Sequence, residues 1–364
     1  MTCHDARDTL KPGDTLNSSS LLVSASGKFS LGFYVYNNGS TNTSYLAVQG
    51  SNQGLNRAWI GNRDTPIPYA SSPVPTVDTN NTLKITYQGG DPIVLYSPTS
   101  STSSVEATIL DSGNFVLQEV SSVNGSTNGV LWQSFDHPTD TFIPGMKLGV
   151  DLTNGKNWSL LSWATSYNPA PGLFSLDWDP KEHELRIKQG GVVYWTSGVF
   201  EDGKFKFILP DVSKQKYNFS IVSNANEDYL TYTAAGDPSD LAPEWVLYGR
   251  GTLNEYGAKV DIAEAQNCDG YNMVGGCVRR PMNCTAKLGD GFVDRSGHFN
   301  ISHSSNTSEP PNWFGTGTQF IDDPIGFTPA RSGFVLSGST PGKTQKNGNS
   351  AYVSLSYIAG PKPG

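Results

Sequence analysis

Along most of this chain apolar and polar residues alternate in short runs, and turn-forming residues close each run. Residues 183–188 place Leu185 and Ile187 on one face and Glu184, Arg186 and Lys188 on the other. Phe174, Leu176 and Trp178 share a face in the same way, opposite Ser175, Asp177 and Asp179. A period of two marks a strand with one buried and one wet side, and helical spacing is nearly absent. Gln88-Gly-Gly90, Asn124-Gly125 and Gln189-Gly-Gly191 supply residues that tolerate positive φ, so the chain can reverse between strands. The predicted class is all-β.

A shorter unit recurs inside this pattern: Gly or Asn, one residue, then an apolar, any, apolar triplet. It occurs as Gly27-Lys-Phe-Ser-Leu31, Asn81-Thr-Leu-Lys-Ile85 and Gly113-Asn-Phe-Val-Leu117, with a cousin at Gly172-Leu-Phe-Ser-Leu176. A tight turn feeding a strand that sends two large apolar groups inward accounts for it. Three such units around an axis would bury a core that none could bury alone, although a plain β-meander has the same spacing.

Composition adds compartment and partners. The 364 residues suit two or three domains, each large enough to bury its own core without a cofactor or a metal. Charged residues are 16%, against about 25% in average soluble domains, while Gly, Ser, Thr and Asn are plentiful, as in extracellular chains. With 33 acidic and 25 basic residues the net charge is -8, and no Lys/Arg run is present, which argues against nucleic acid as a partner. The opening residues 1–8 are polar and no run approaches the ~20 apolar residues of a membrane span, so neither a secretory signal nor direct membrane contact is expected of this chain. Asn-x-Ser/Thr sequons stand at Asn17, Asn38, Asn42, Asn80, Asn124, Asn157, Asn218, Asn283, Asn300 and Asn306, which points to a secreted glycoprotein. Cys3, Cys268, Cys277 and Cys284 have no His at zinc-finger spacing, so disulfides are expected rather than a metal site; four cysteines leave three pairings open.

One long run ties these features together: Leu131-Trp-Gln-Ser-Phe-Asp-His-Pro-Thr-Asp-Thr-Phe-Ile-Pro-Gly-Met-Lys-Leu-Gly149. Gly27-Lys-Phe-Ser-Leu-Gly-Phe33, Trp59-Ile-Gly-Asn-Arg-Asp-Thr-Pro-Ile67, Leu110-Asp-Ser-Gly-Asn-Phe-Val-Leu117 and Tyr194-Trp-Thr-Ser-Gly-Val-Phe200 accompany it. Together they resemble plant S-locus glycoproteins and the ectodomains of G-type lectin S-receptor-like serine/threonine kinases. The resemblance covers residues 9–276 and is not followed beyond Cys284. It implies tandem β-prism II modules of the bulb-type, mannose-binding lectin kind, each of three four-stranded sheets, then a short cysteine-containing region and an irregular tail. On that basis residues 1–150 form the first lectin module, closed by the long run. Residues 151–260 form the second, 261–290 a cysteine-containing linker and 291–364 a poorly matched tail. In the tail only residues 351–358 read as a convincing strand.

The resemblance also implies a non-catalytic recognition protein outside the cell, secreted or held at the outer face of the plasma membrane. Its ligand would be a glycan, glycoprotein or peptide, with a co-receptor or dimer partner, in pollen recognition or defence. A structural or decoy apoplastic glycoprotein, or a truncated gene model of a receptor kinase, are the alternatives. The sugar pattern of such lectins is Gln-x-Asp-x-Asn-x-Val-x-Tyr, polar groups at period two that converge on mannose hydroxyls. Aligned on Asn114 and Val116, this chain has Leu110, Ser112 and Gln118 at the other positions; a second copy reads Asp78, Asn80, Thr82, Lys84 and Thr86; a third, near Ile93-Val-Leu-Tyr96, lacks Gln and Asp. Asp78, Asn80, Asn114 and Val116 are therefore the candidate carbohydrate contacts in a site expected to be degenerate, with Asn114 better suited to a turn.

Catalytic readings find little support. Asp177/Asp179 and Asp136/Asp140 are paired acids of a kind common on β surfaces, and His137 with Asp140 lies inside the long run. No Gly-x-Ser-x-Gly elbow and no kinase motif occurs in the sequence. His298 and His303 sit at an offset that places them on opposite faces of a strand, unsuited to a shared zinc. Trp59, Trp132, Trp163, Trp178 and Trp195 are expected in the core rather than on sugars, and Trp313 is unassigned.

Overall fold

A computed structural model describes residues 7–16, 20–37, 42–50, 57–99, 104–121, 126–166, 168–209, 217–235, 244–256, 260–270 and 272–279, together with three strands beyond residue 290. The chain divides into two units, residues 1–280 and 281–364. Among the described residues every regular element is a strand or a three-residue 3-10 turn.

The first module comprises β1 (Thr9–Leu10), β2 (Leu22–Val23), β3 (Phe29–Asn37), β4 (Asn42–Gly50), β5 (Arg57–Ile60), β6 (Ile67–Pro68), β7 (Val74–Val77), β8 (Leu83–Thr86), β9 (Ile93–Tyr96), β10 (Val105–Ile109), β11 (Phe115–Val120) and β12 (Thr127–Gln133). They form three antiparallel sheets, β2-β3-β4-β5 with β6 also on β4, β7-β8-β9, and β1-β10-β11-β12. Each recurrent unit opens one strand of each sheet. Phe29 and Leu31, Leu83 and Ile85, and Phe115 and Leu117 are all buried in one continuous core. The repeat is therefore threefold packing and not a meander. Before β11 the turn needs Gly113, which has φ +82°, and a Cβ there would come within 2.8 Å of the Phe29 ring.

The second module comprises β13 (Thr141–Phe142), β14 (Leu148–Asp151), β15 (Asn157–Trp158), β16 (Leu160–Thr165), β17 (Asn168–Asp179), β18 (Glu184–Gln189), β19 (Val192–Thr196), β20 (Phe200–Glu201), β21 (Lys204–Phe205), β22 (Tyr217–Ser223), β23 (Glu227–Ala234), β24 (Trp245–Leu247), β25 (Leu253–Glu255) and β26 (Val260–Asp261). Again there are three sheets, β16-β17-β18-β19, β15-β14-β23-β22 and β13-β24-β25-β26, plus the hairpin β20-β21. Two bodies of three sheets agree with the tandem β-prism expectation.

The boundary drawn at residue 150 falls inside β14. Partners change earlier, at the 3-10 turn Ser134–Asp136: β12 pairs with β11, whereas β13 pairs with β24 and β14 with β23. The long run thus passes from one module into the other instead of closing the first. Its final glycine has a packing reason, since a Cβ on Gly149 would lie 2.2 Å from the Asp228 carbonyl oxygen. Two-residue strands such as β13 carry too little alternation to reveal a partner a hundred residues away.

The segment expected to be a linker is docked on the second module at its start. Cys268 and Cys277 form a disulfide. The Trp195 indole N–H donates to the Gly275 carbonyl (3.0 Å), and the Thr196 N–H donates to the Gly276 carbonyl (2.8 Å). Cys3 and Cys284 lie outside the described residues. In the second unit β27 (Gly291–Asn300), β28 (Phe334–Val335) and β29 (Ser350–Ala359) form a sheet in the order β27-β29-β28. Only β29 was legible in the sequence, because Asp294-Arg-Ser-Gly297 interrupts the apolar alternation of β27. His298 lies on β27, and His303 and Trp313 fall outside the described residues. Among the described residues no helix is long and apolar enough to cross a membrane, and no cluster of three His, Cys, Asp or Glu could hold a metal.

Candidate functional site

The sugar-contact positions were followed first. Asn114 is buried at the start of β11. Its Nδ2 donates to Gln133 Oε1 (2.8 Å), and its Oδ1 accepts from Ser134 Oγ (3.1 Å) and from the Phe135 N–H (3.3 Å). Ser134 Oγ in turn accepts the Phe115 N–H at 2.9 Å. The amide therefore ties β11 to Gln133-Ser-Phe135, the first half of the long run. Val116 is buried, and Ser112 Oγ accepts the Asn114 N–H. Replacing Asn114 by alanine strands two buried donors and one acceptor, and should cost about 2–3 kcal/mol in denaturant unfolding.

Asp78 lies in the turn before β8, with Oδ1 accepting the Asn80 and Thr82 N–H groups (2.9 and 3.0 Å) and Oδ2 accepting Lys84 Nζ (2.7 Å). Lys84 occupies the position of the apolar residue in the sugar pattern. Partial burial raises the Asp78 carboxyl, and Lys84 with those two N–H groups outweighs it, so the group is held below its ordinary value. A depressed native value contributes stability above pH 3.8 that fades as the pH falls through the native value. Asn80 is exposed, and Tyr96, Ile93 and Leu95 pack against the core from β9.

Of the sequons, Asn42, Asn80, Asn157 and Asn218 are described with their surroundings and all four are exposed. Asn17, Asn38, Asn124, Asn283 and Asn306 lie outside the described residues, and Asn300 is placed on β27 only. Trp59, Trp132, Trp178 and Trp195 are buried, while Trp163 is half-buried against Tyr36 of the first module (5.2 Å, edge-on).

Buried polar groups gather at the joint between the modules. Arg63, 7% exposed, donates Nε to the Pro169 carbonyl (2.6 Å), Nη1 to Leu161 (3.0 Å) and Nη2 to Ser162 (2.8 Å). Burial raises the carboxyl of Asp140, which is fully enclosed; the Arg63 cation opposes that shift. Next to it the Arg57 guanidinium lies 3.8 Å above the Tyr34 ring, with Nη1 donating to the Tyr36 hydroxyl (3.1 Å). None of Arg57, Arg63, Tyr34 and Tyr36 was singled out in the sequence. The signal available was a charged residue inside an otherwise apolar and turn-forming run, Trp59-Ile-Gly-Asn-Arg63. Asn62 of that run accepts the Leu46 N–H (2.8 Å) and donates to the Thr65 carbonyl (2.9 Å), which aims Arg63 across the joint.

Beside this joint opens a cleft of about 470 Å³. It is lined by Asp136, His137 and Pro138 of the long run and by Lys156, Asn157, Ser159, Leu161, Ser175 and Asp177. His137 is exposed on one face and stacks on Trp132 with the other (5.4 Å). Burial of that face lowers its pKa, as does Lys156, against the pull of Asp136. His137 and Asp140 do not act together: the first opens to the cleft and the second is enclosed toward Arg63. Nor do Asp177 and Asp179 simply face water. Asp177 accepts from Ser159 Oγ (2.7 Å), Ser175 Oγ (2.6 Å) and Lys188 Nζ (3.5 Å), and Asp179 pairs with Arg186. Three donors on one carboxylate suit a fixed acceptor, not a group that delivers a proton.

A family described as D-mannose binding lectin matches residues 57–164, from β5 across the joint into β16. The chain is 38% identical over 283 residues to the Arabidopsis thaliana G-type lectin S-receptor-like serine/threonine-protein kinase CES101, covering 77% of this chain and 31% of that protein. This chain is a relative of the G-type lectin S-receptor-like kinases. A second relative, the Arabidopsis thaliana G-type lectin S-receptor-like serine/threonine-protein kinase At1g67520, is 38% identical over 350 residues and 91% of this chain, 37% of its own length. An alignment of that extent runs past Cys284, so it is not confined to the residues before it. The chain spans about a third of the length of these relatives.

Proposed function

We propose that this chain is a non-catalytic, extracellular recognition module of a receptor-like or S-locus-type protein, and that its ligand docks elsewhere than on the three inherited mannose positions. The support is Asn114, whose amide is satisfied by Gln133, Ser134 and Phe135, so a sugar would have to displace three internal hydrogen bonds to reach it. Asp78 and Lys84 likewise satisfy each other. A rigid pair of prisms joined through Arg63 offers continuous surface for a glycoprotein or peptide, and the exposed sequons suit passage through the secretory route. Signalling would belong to a kinase elsewhere in the full-length protein, as in the named relatives.

The test is a glycan array together with a pull-down, using the glycosylated chain secreted from plant cells. Mannose-terminated glycans should give no signal, and a protein or glycoprotein should be captured. A mannoside signal that Lys84→Ala abolishes while the fold stays intact would overturn the proposal.

A further inference from the structure

Among the described sequon asparagines Asn157 alone combines an exposed edge-strand position with a place in the lining of the cleft. It heads the tripeptide Asn157-Trp-Ser159 on the edge strand β15, exposed and paired through Val150 to β14. It also lines the cleft, together with His137, Pro138 and Leu161. We propose that Asn157 carries an N-linked glycan whose first N-acetylglucosamine packs into this cleft, covering His137 and Leu161. The inference rests on the extracellular reading above.

In the modification the Asn157 amide nitrogen bonds to C1 of the sugar. The bond from C1 to the oxygen of a lipid-linked diphosphate donor breaks, the diphosphate leaves with the electron pair, and the amide gives up one proton. The cleft suits the product. Its volume of about 470 Å³ falls in the ~300–1,000 Å³ span of small-ligand clefts. Leu161, 37% exposed, and the ring of Pro138 offer apolar surface to one face of a pyranose. Lys156, Asp136 and the imidazole of His137 ring that surface with donors and acceptors for hydroxyls and the acetamido group. With its pKa lowered by the stacked face and Lys156, His137 keeps a lone pair available to accept. Tethering supplies what such an open site lacks in intrinsic affinity, because a linked group is held at an effective concentration in the millimolar range or above. The cleft is then filled from within the molecule and closed to outside ligands.

The full chain, secreted from plant cells with its glycans held in high-mannose form, should be mapped by intact glycopeptide mass spectrometry. It should then be treated in the native state with an endoglycosidase that cuts between the two core sugars. Asn157 is expected to be occupied, and its glycan to be released about tenfold more slowly than those at Asn42, Asn80 and Asn218, as for any bond reached only after local opening. In Leu161→Ser, which changes an exposed side chain, its release should rise toward the Asn218 rate. An unmodified Asn157 beside an occupied Asn218 overturns the inference and leaves the extracellular reading standing. Equal release rates in the parent, or protection undiminished in Leu161→Ser, also overturn it. If none of the sequons is modified, both readings fall.

Discussion

Arg63→Ala is expected to destabilise the chain by about 3–5 kcal/mol, because buried acceptors that lose their donor cost about 1–3 kcal/mol each. Three carbonyls at the joint, those of Leu161, Ser162 and Pro169, lose their donor. Asp140, enclosed on all sides, loses the through-space field of the Arg63 cation. Its carboxyl is already raised by burial, and without Arg63 it rises further. A native value above 3.8 means that the folded state holds a proton the unfolded state has released, so stability falls as pH rises through that window. The deficit of the variant should therefore shrink as the pH is lowered toward 3.8. Arg63→Lys should fall between parent and Arg63→Ala, because an ammonium cannot span three carbonyls as a planar fork does. Denaturant unfolding at two pH values checks both statements, and a pH-independent deficit would remove Asp140 from the account.

Trp245→Ala should cost a similar amount, about 3–5 kcal/mol, by cavity formation and lost aromatic packing. Trp245 is fully buried and meets Tyr217 (5.4 Å), Phe219 (5.5 Å), Phe142 (5.9 Å) and Tyr232 (6.2 Å) between ring centroids. Phe142 is also its cross-strand partner, so the residue anchors β13, and with it the second half of the long run, to the second module. Hydrogen exchange should show protection lost first from β13, β24 and β25. A uniform loss across both modules would mean that they unfold as one cooperative unit.

How far the sequence alone could be read differs from residue to residue. Phe29, Leu31, Leu83, Ile85, Phe115 and Leu117 announced themselves, because a strand with one buried face imposes a period of two whatever its neighbours are. The exposure of Asn42, Asn80, Asn157 and Asn218 was expected from the sequons, since a glycan needs a surface position. Arg63 could not be placed in the same way. Its role depends on the carbonyls of residues about a hundred positions away, and carbonyls leave no trace in a residue pattern.

Asn114 shows the same limit at the candidate site. Departure of Leu110, Ser112 and Gln118 from the sugar pattern was plain in the sequence, whereas the destination of the Asn114 amide was not. An amide is both donor and acceptor and fits a turn, a sugar or a neighbouring strand equally well.

What the amino-acid sequence determined by itself was the all-β class, the threefold repeat of the first half and the family likeness, since each rests on local periodicity or on contiguous runs. Only the tertiary structure decided that the long run is shared by two bodies, that Arg63 ties the joint through three carbonyls, and that His137, Asn157 and Asp177 meet around one cleft. Those outcomes turn on which strands pair and which buried polar groups find partners, and both are settled by non-local hydrogen bonding once the core has closed.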